Sequence, residues 1–389
     1  MADVMTCPYC NAVVSIPSSS DPVTCFRCGE SFSSTGRTIV GVPLPMRQTA
    51  LPASRFVSKR WPFYLFGVLF AMGLLLVLTN FSGIRKLRNE PNAASTSHAI
   101  IKPSDLPGLG YVPENCEALL AIQVPAFLEK MGPEAERDPV EAIARFGFPK
   151  SLVESIESAS GVGLKNVEQL VVGIGFEKGA FPPQLFVVVH TREPYDIDAL
   201  VRQRKGTTLK KDGRTLHGVK SERVPEVLLW SPNNRVLVGT LLARDFESIP
   251  MRPRSGMDHL KPNVGRLIRE QVAEDASFWF VASSDQWGKH IRPYTWFPGS
   301  PLNGRDDLLG PADRLRTVAI SIPQSAEKRV EVRIDQKNAE AATRLRESYQ
   351  ERFAGEEITV GGEGETILIE TEFEARRVGS LLSRLVVEK

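Results

Sequence analysis

The longest stretch of the chain without a charged residue lies between Arg60 and Arg85, and it is strongly apolar. Its core reads WPFYLFGVLFAMGLLLVLTNF, from Trp61 to Phe81. A helix needs about 20 apolar residues to cross a bilayer, because each residue advances it by about 1.5 Å. The pattern therefore predicts a transmembrane helix at residues 61–84, which divides the chain into a small head and a much larger body.

In the body, apolar and polar residues alternate at the two-residue period of half-buried strands. The segment KRVEVRI shows this clearly, since Val330 and Val332 share one face. Between strand pairs, Leu345 and Tyr349 have the four-residue spacing of a helix face, and Asn338 is the predicted cap of that helix. The order strand, strand, helix, strand, strand, helix occurs twice, which predicts two repeated α+β units.

Four of the five cysteines form two C-x-x-C pairs in the head, and fourteen residues separate the pairs. Two such pairs can each present two thiolates to one tetrahedral ion, which is the usual composition of a structural zinc site. Because sulfur fills all four positions of such a site, no open position remains for a substrate or an activated water. The sequence therefore predicts one structural Zn²⁺ held by Cys7, Cys10, Cys25 and Cys28.

Residues from Met5 to about Arg37 resemble the small zinc-ribbon domain found at the N-terminus of many bacterial membrane-anchored proteins. The resemblance rests on CPYC, on CFRC, and on four further positions, Ile16, Pro17, Gly29 and Phe32. Asn11 and Phe26 depart from the family pattern, and neither is a ligand. The resemblance implies a structural zinc fold just ahead of a single span. The body is similar only to uncharacterised bacterial extracytoplasmic domains, which implies no activity.

The predicted fold class is α+β, with a small N-terminal zinc ribbon, one transmembrane helix and a large body of two repeated strand-pair and helix units. Scattered Pro, Ser and Gly on both sides of the apolar stretch are typical of flexible linkers. The predicted segments are the zinc ribbon 1–37, a linker 38–60, the transmembrane helix 61–84, a linker 85–107, and the repeat units 108–252 and 253–389.

The net charge of +2 hides a difference between the two parts of the chain. Residues 1–102 contain ten Lys and Arg against four Asp and Glu, which leaves 38 basic and 42 acidic residues for the body. A slightly acidic body lacks the excess of positive charge that binds a phosphate backbone, so we do not expect a nucleic-acid partner. Cys116 is the single cysteine of the body, which therefore has no internal disulfide.

Charge alone does not orient the predicted span, since four basic residues precede it closely and four follow it. The cytoplasm keeps thiolate ligands reduced, which favours a cytoplasmic position for the zinc head. The predicted location is therefore the cytoplasmic membrane, with a single span, a cytoplasmic N-terminus and an extracytoplasmic body.

The body contains no compact nucleophile, metal or cofactor signature, and its histidines are isolated from one another. Asp196 and Asp198 lie at a predicted helix start, where capping explains them better than a metal pair does. We therefore expect a membrane-anchored, non-catalytic binding or scaffold protein with a protein or envelope partner. The alternative is a cell-envelope hydrolase with a site built from distant residues such as Asp285, His290 and Arg292.

The segment from Lys289 to Pro311 is rich in Pro and Gly and predicts a long loop. Large aromatic residues without a core period in such a loop are candidates for a surface that binds a partner. The alternative is that these rings close one end of the interface between the repeat units. The candidate partner-binding residues are Tyr294, Trp296 and Phe297.

Overall fold

The first compact unit of the computed structural model, Met1–Ala53, contains two short antiparallel hairpins. Strand β1 (Asp3–Thr6) pairs with β2 (Val13–Ile16), and β3 (Val23–Thr24) pairs with β4 (Ser31–Phe32). The residues that the structure describes are 3–6, 13–16, 23–24, 31–32, 99–145, 150, 154, 157, 160–176, 183–219, 227–240, 242–296, 309–325, 329–374, 378 and 381.

The second compact unit, Ser54–Lys389, contains one sheet of twelve strands, and every neighbouring pair in it is antiparallel. In chain order the strands are β5 (Cys116–Gln123), β6 (Val167–Gly175), β7 (Gln184–Thr191), β8 (Thr207–Lys211), β9 (Arg214–Val219), β10 (Val227–Asn233), β11 (Val236–Thr240), β12 (Ala276–Ser283), β13 (Leu315–Pro323), β14 (Val330–Gln336), β15 (Ile358–Gly361) and β16 (Thr366–Thr371). Their order across the sheet is β15-β16-β14-β13-β12-β5-β6-β7-β11-β10-β9-β8.

The strand order is mirrored about the central pair, β5 and β12. Outward from β5 the strands are β6, β7, β11 and β10, and outward from β12 they are β13, β14, β16 and β15. The hairpin of β8 and β9 lies beyond β10 and forms the edge of the sheet on that side. The two halves are joined by pairing from Phe278 to Ala282 of β12 with Ala118 to Ile122 of β5.

The predicted fold class is wrong. The described elements are α+β, but one continuous sheet replaces the two separate repeat units, and a zinc ribbon is not shown. The reason lies in β12, because all eight of its residues are buried. A strand that is apolar on both faces needs cover on both faces and a neighbour at each edge, and β5 supplies one of these neighbours.

Among the residues that the structure describes, no helix combines the length and the apolar character that crossing a membrane requires. The predicted span at 61–84 and the predicted linker at 38–60 lie outside the described residues. The second predicted linker, 85–107, is described from residue 99 onward, and this part contains the 3₁₀ helix Pro103–Asp105.

Helices pack on the sheet in both halves. Among the described residues, the α-helices are α1 (Val124–Met131), α2 (Pro133–Arg137), α3 (Pro139–Arg145), α4 (Ile197–Gln203), α5 (Pro262–Gln271), α6 (Trp287–Trp296), α7 (Leu309–Arg314) and α8 (Ala339–Arg352). Further 3₁₀ helices are formed by Pro107–Tyr111, Leu164–Asn166 and Ala243–Ser248.

Two clusters of buried apolar side chains form the core, one on each face of the sheet. Leu120 of β5 belongs to the first cluster and Leu119 to the second, because successive strand residues point to opposite faces. Phe127 of α1 and Tyr349 of α8 pack in the first cluster, and Leu267 of α5 packs in the second. All described members of the two clusters lie after residue 100, so we expect the segment 99–389 to fold without the preceding chain.

The prediction of a loop from Lys289 to Pro311 is wrong at both ends of this segment. Residues up to Trp296 belong to α6, and α7 begins at Leu309. The reason is that Trp287 and Ile291, four residues apart, share the buried face of α6, and each is only 2% exposed. Their burial in the first cluster stabilises a helix that the interior Pro293 would otherwise disfavour.

Candidate functional site

Four polar side chains converge at one end of the central strands: Glu117, Lys261, Ser284 and His290, which we call the Glu117 cluster. Glu117 Oε1 lies 2.6 Å from Lys261 Nζ, and Glu117 Oε2 lies 2.9 Å from His290 Nε2. The same His290 nitrogen lies 3.0 Å from Ser284 Oγ. Lys261 immediately precedes α5, Ser284 immediately follows β12 and His290 lies in α6, so the cluster connects these three elements to β5.

A bulge in β5 places Glu117 in this cluster. Cys116 pairs with Gly175 of β6 and Ala118 pairs with Ile174, so Glu117 is an extra residue on the β5 side of this step. A bulge leaves the extra residue outside the ladder and redirects its side chain. As a result, Glu117 carries a carboxylate to the end of a strand whose other residues are all buried.

Aromatic rings hold the imidazole of His290 in place. The ring of Phe176 stacks on it with a centroid separation of 4.2 Å and an angle of 19° between the planes. Trp287, one helical turn earlier on α6, meets the imidazole edge to face at 6.1 Å and packs against Phe176 in the same way at 6.0 Å. The orientation of His290 is therefore determined by packing as well as by its polar neighbours.

The electrostatics of the cluster favour the ionised form of Glu117. Burial opposes ionisation, but the contacts with His290 and Lys261 outweigh it and lower the pKa of Glu117 below its ordinary value. By contrast, complete burial raises the pKa of the neighbouring Cys116 thiol well above its usual range. Cys116 therefore remains a protonated, unreactive core residue, and the negative charge of this region is on the Glu117 carboxylate.

The geometry does not provide a nucleophilic relay. In a Ser-His-acid arrangement, the hydroxyl and the carboxylate contact opposite nitrogens of the imidazole, so that one orients the ring while the other transfers a proton. Here Ser284 Oγ and Glu117 Oε2 both lie against Nε2 of His290. Ser284 Oγ also accepts a hydrogen bond from the backbone N–H of Gln286 at 3.2 Å. This arrangement is suited to connecting structural elements, not to activating the Ser284 hydroxyl.

Of the three residues of the predicted hydrolase site, the structure brings only His290 into the cluster. Asp285 is exposed, and its carbonyl oxygen accepts a hydrogen bond from Lys337 Nζ at 2.8 Å. Arg292 is exposed on α6. Neither Glu117 nor Lys261 was predicted from the sequence, although a carboxylate within the apolar run CEALLAIQV is a signal that this side chain has a specific partner.

A second polar network lies around Asp245, which is 1% exposed. Its carboxylate accepts hydrogen bonds from Gln184 Nε2 at 3.3 Å and from Thr240 Oγ1 at 3.1 Å, and Arg244 Nε lies 3.7 Å away. Gln184 in turn accepts a hydrogen bond from Asn115 Nδ2 at 2.5 Å. These contacts occupy the carboxylate within the protein and tie the 3₁₀ helix Ala243–Ser248 to the sheet.

The remaining site predictions fall on residues that the structure does not describe in full. Tyr294 and Trp296 lie in the last turn of α6, but their side chains are outside the described residues, as is the whole of Phe297. The four predicted zinc ligands, Cys7, Cys10, Cys25 and Cys28, are also outside the described residues. Within the described ranges, no group of three His, Cys, Asp or Glu side chains is placed to hold a metal ion.

No protein-family model and no curated protein sequence matches the chain. Among solved structures, the chain is similar to one described as "Structure of crystal form I of TP0453". The two share 14% sequence identity with a TM-score of 0.38, over 72% of this chain and 98% of the other. A likeness this distant supports no conclusion about fold or function.

Proposed function

We propose that the protein is a binding or scaffold protein anchored in the cytoplasmic membrane by a single span, with a structural zinc ribbon in the cytoplasm and a non-catalytic body outside it. The apolar stretch from Trp61 to Phe81 provides the anchor in this proposal. The observation that carries the proposal is the position of the four cysteines relative to the two hairpins of the first unit.

In both hairpins, six residues separate the last paired residues of the two strands. Thr6 pairs with Val13 in the first hairpin, and Thr24 pairs with Ser31 in the second. Each intervening segment has cysteine at its first and fourth positions, which are Cys7 and Cys10 in the first and Cys25 and Cys28 in the second. Equivalent cysteine pairs between the strands of two hairpins are the arrangement in which a zinc ribbon binds its metal, so this correspondence supports the zinc site.

For the body, the Glu117 cluster supports a binding role over catalysis. In this cluster a histidine, a carboxylate, an amine and a hydroxyl come together, and the carboxylate contacts both the histidine and the amine. Because Ser284 and Glu117 share one nitrogen of His290, the alternative of a hydrolase centred on His290 has the wrong geometry for a relay. We therefore propose that the body acts by binding a partner on its surface.

The topology is tested by protease added outside intact cells or spheroplasts that express the full chain. We expect loss of the body and protection of a fragment that contains the head, and we expect both parts to be degraded once the membrane is permeabilised. An antibody against each end of the chain distinguishes the fragments. Protection of the body with loss of the head would reverse the orientation, and recovery of the whole chain in the soluble fraction would overturn the anchoring.

A further inference from the structure

Two segments that meet at the β8–β9 hairpin turn are strongly basic. They are residues 202–214, which contain the β8–β9 hairpin turn, and residues 242–254, which contain the 3₁₀ helix Ala243–Ser248; we call them together the basic hairpin surface. They contain nine Lys and Arg against three Asp and Glu, whereas the whole chain has a net charge of only +2. One of the three acidic residues, Asp245, is buried and engaged by its own neighbours.

Contacts between the two segments hold them together as one surface. Lys211 Nζ lies 2.7 Å from Glu247 Oε1. Arg214 is buried, and its guanidinium donates hydrogen bonds to the carbonyl oxygens of Phe246 and Ile249 while it stacks over the ring of Trp230. The hairpin turn and residues 246–249 are thus fixed against each other, and cations that lie far apart in the sequence are brought to the same end of this hairpin.

The same surface carries exposed apolar side chains. Among the described residues, the large hydrophobic side chains that are prominently exposed are Leu209 (49%), Met251 (48%) and Leu242 (36%), and all three belong to the basic hairpin surface. Met251 lies beside the β8–β9 turn, since its Cε is 3.8 Å from the position that a Cβ on Gly213 would occupy. Leucine and methionine side chains exposed in the same segments as several cations are a composition suited to a partner that is both anionic and apolar.

Three cations of the surface are exposed and have no acidic partner within ion-pair distance among the described residues: Lys205, Lys210 and Arg252. Protection of the free edge of β8 explains lysines on that strand, because charge discourages pairing with another chain. It does not explain Arg252, which lies outside the strand, or the exposure of Leu209 and Met251. A partner that is both anionic and able to accept apolar side chains accounts for all of these features.

We propose that the basic hairpin surface binds an anionic phospholipid membrane. Cations beside a bilayer are attracted to acidic headgroups, while exposed leucine and methionine side chains enter the boundary between headgroups and acyl chains. The inference deepens the proposed function, because a body tethered to a membrane by a short linker has such a surface within reach. It does not depend on the span itself, since the segment 99–389 carries the whole surface.

The test uses purified segment 99–389 and sedimentation with vesicles of phosphatidylcholine, with and without phosphatidylglycerol. We expect binding to the vesicles that contain phosphatidylglycerol, weakened by added salt. Each cation near the surface contributes about fivefold to the partition constant, so the double variant Lys210→Glu, Arg252→Glu should bind at least about 25-fold more weakly. The matched control is Arg266→Glu, Arg329→Glu, which changes the net charge equally at exposed positions outside the surface and should retain most of the binding.

Two further measurements complete the test. The variant Leu209→Ser, Met251→Ser should lose the part of the binding that persists at high salt, and near-ultraviolet circular dichroism should show that all variants are folded. Equal binding to both kinds of vesicle, equal loss in the two charge variants, or capture of a soluble acidic protein in place of vesicles would overturn the proposal. None of these results bears on the anchoring, which the protease experiment on the full chain tests separately.

Discussion

The substitution Glu117→Gln tests whether the Glu117 cluster stabilises the body as a charged cross-link. Glutamine keeps the size and much of the hydrogen-bonding capacity of the side chain but removes the charge that faces Lys261 and His290. The matched control is Glu331→Gln on β14, where the carboxylate lies 3.4 Å from Arg333 but is 33% exposed, compared with 14% for Glu117.

The expected effect follows from the burial of the three partners. Exposed ion pairs contribute about 0.2–1 kcal/mol, and breaking a fully buried pair costs about 3–5 kcal/mol. The side chains of Glu117 and His290 are 14% and 17% exposed, and that of Lys261 is 38% exposed, which places the cluster between these limits. We expect a loss of about 2 kcal/mol for Glu117→Gln and less than about 1 kcal/mol for Glu331→Gln.

Thermal unfolding of the segment 99–389 measures this difference. An unfolding entropy of about 2.1 cal/mol/K per residue gives about 0.6 kcal/mol/K for about 290 residues, so a loss of about 2 kcal/mol lowers Tm by about 3 °C. Because the pKa of Glu117 is lowered in the folded state, its contribution is present above the ordinary pKa of glutamate, about 4.3, and is lost as the pH falls through the lowered value.

The pH dependence separates a charge effect from a packing effect. The difference in Tm between the wild type and Glu117→Gln should be full at pH 7 and should disappear at acidic pH, where Glu117 is protonated in both states. A difference that is the same at pH 7 and at low pH would show that the substitution acts through shape alone. No difference at pH 7 would refute the cross-link.

Three other predictions address the rest of the chain. Replacing Arg214 by Met leaves the carbonyl oxygens that it contacts without a donor, and we expect a loss of about 2–4 kcal/mol in urea unfolding, with Arg214→Lys milder. Metal analysis of the full chain should find one zinc ion per chain, reduced in the variant Cys25→Ser, Cys28→Ser; no zinc in the wild type would refute the zinc site. If Tyr294, Trp296 and Phe297 bind a partner at the surface, replacing all three by alanine should lower the free energy of unfolding by less than about 1 kcal/mol. If the rings are buried, each replacement should cost about 3–5 kcal/mol, so a large fall in Tm would contradict partner binding by these residues.

Local patterns in the sequence were sufficient for many individual elements. The alternation around Val330 and Val332 corresponds to β14, in which these residues are fully buried on one face. The side chain of Asn338 caps α8 by accepting a hydrogen bond from the N–H of Ala341 at 2.8 Å, and Asp196 does the same for α4. These features could be predicted because strand alternation and helix capping depend on residues a few positions apart.

The sequence was misleading where burial overrides local preference. Pro293 and the glycines beyond it indicate a loop, yet α6 continues to Trp296 because Trp287 and Ile291 pack in the core. The site predicted from the sequence was likewise incomplete, since it contained His290 but not Glu117. The bulge that presents Glu117 arises only when β5 pairs with β6, and no local pattern marks it.

The sequence by itself therefore determined strands such as β14, the helix caps, the cysteine pairs and the uncharged stretch, each of which is a property of neighbouring residues. Only the tertiary structure decided that β5 pairs with β12 to make one sheet, that Glu117 meets His290 and Lys261, and that two basic segments form one surface. These contacts join residues far apart in the chain, because the burial of apolar surface selects which strand edges and faces meet.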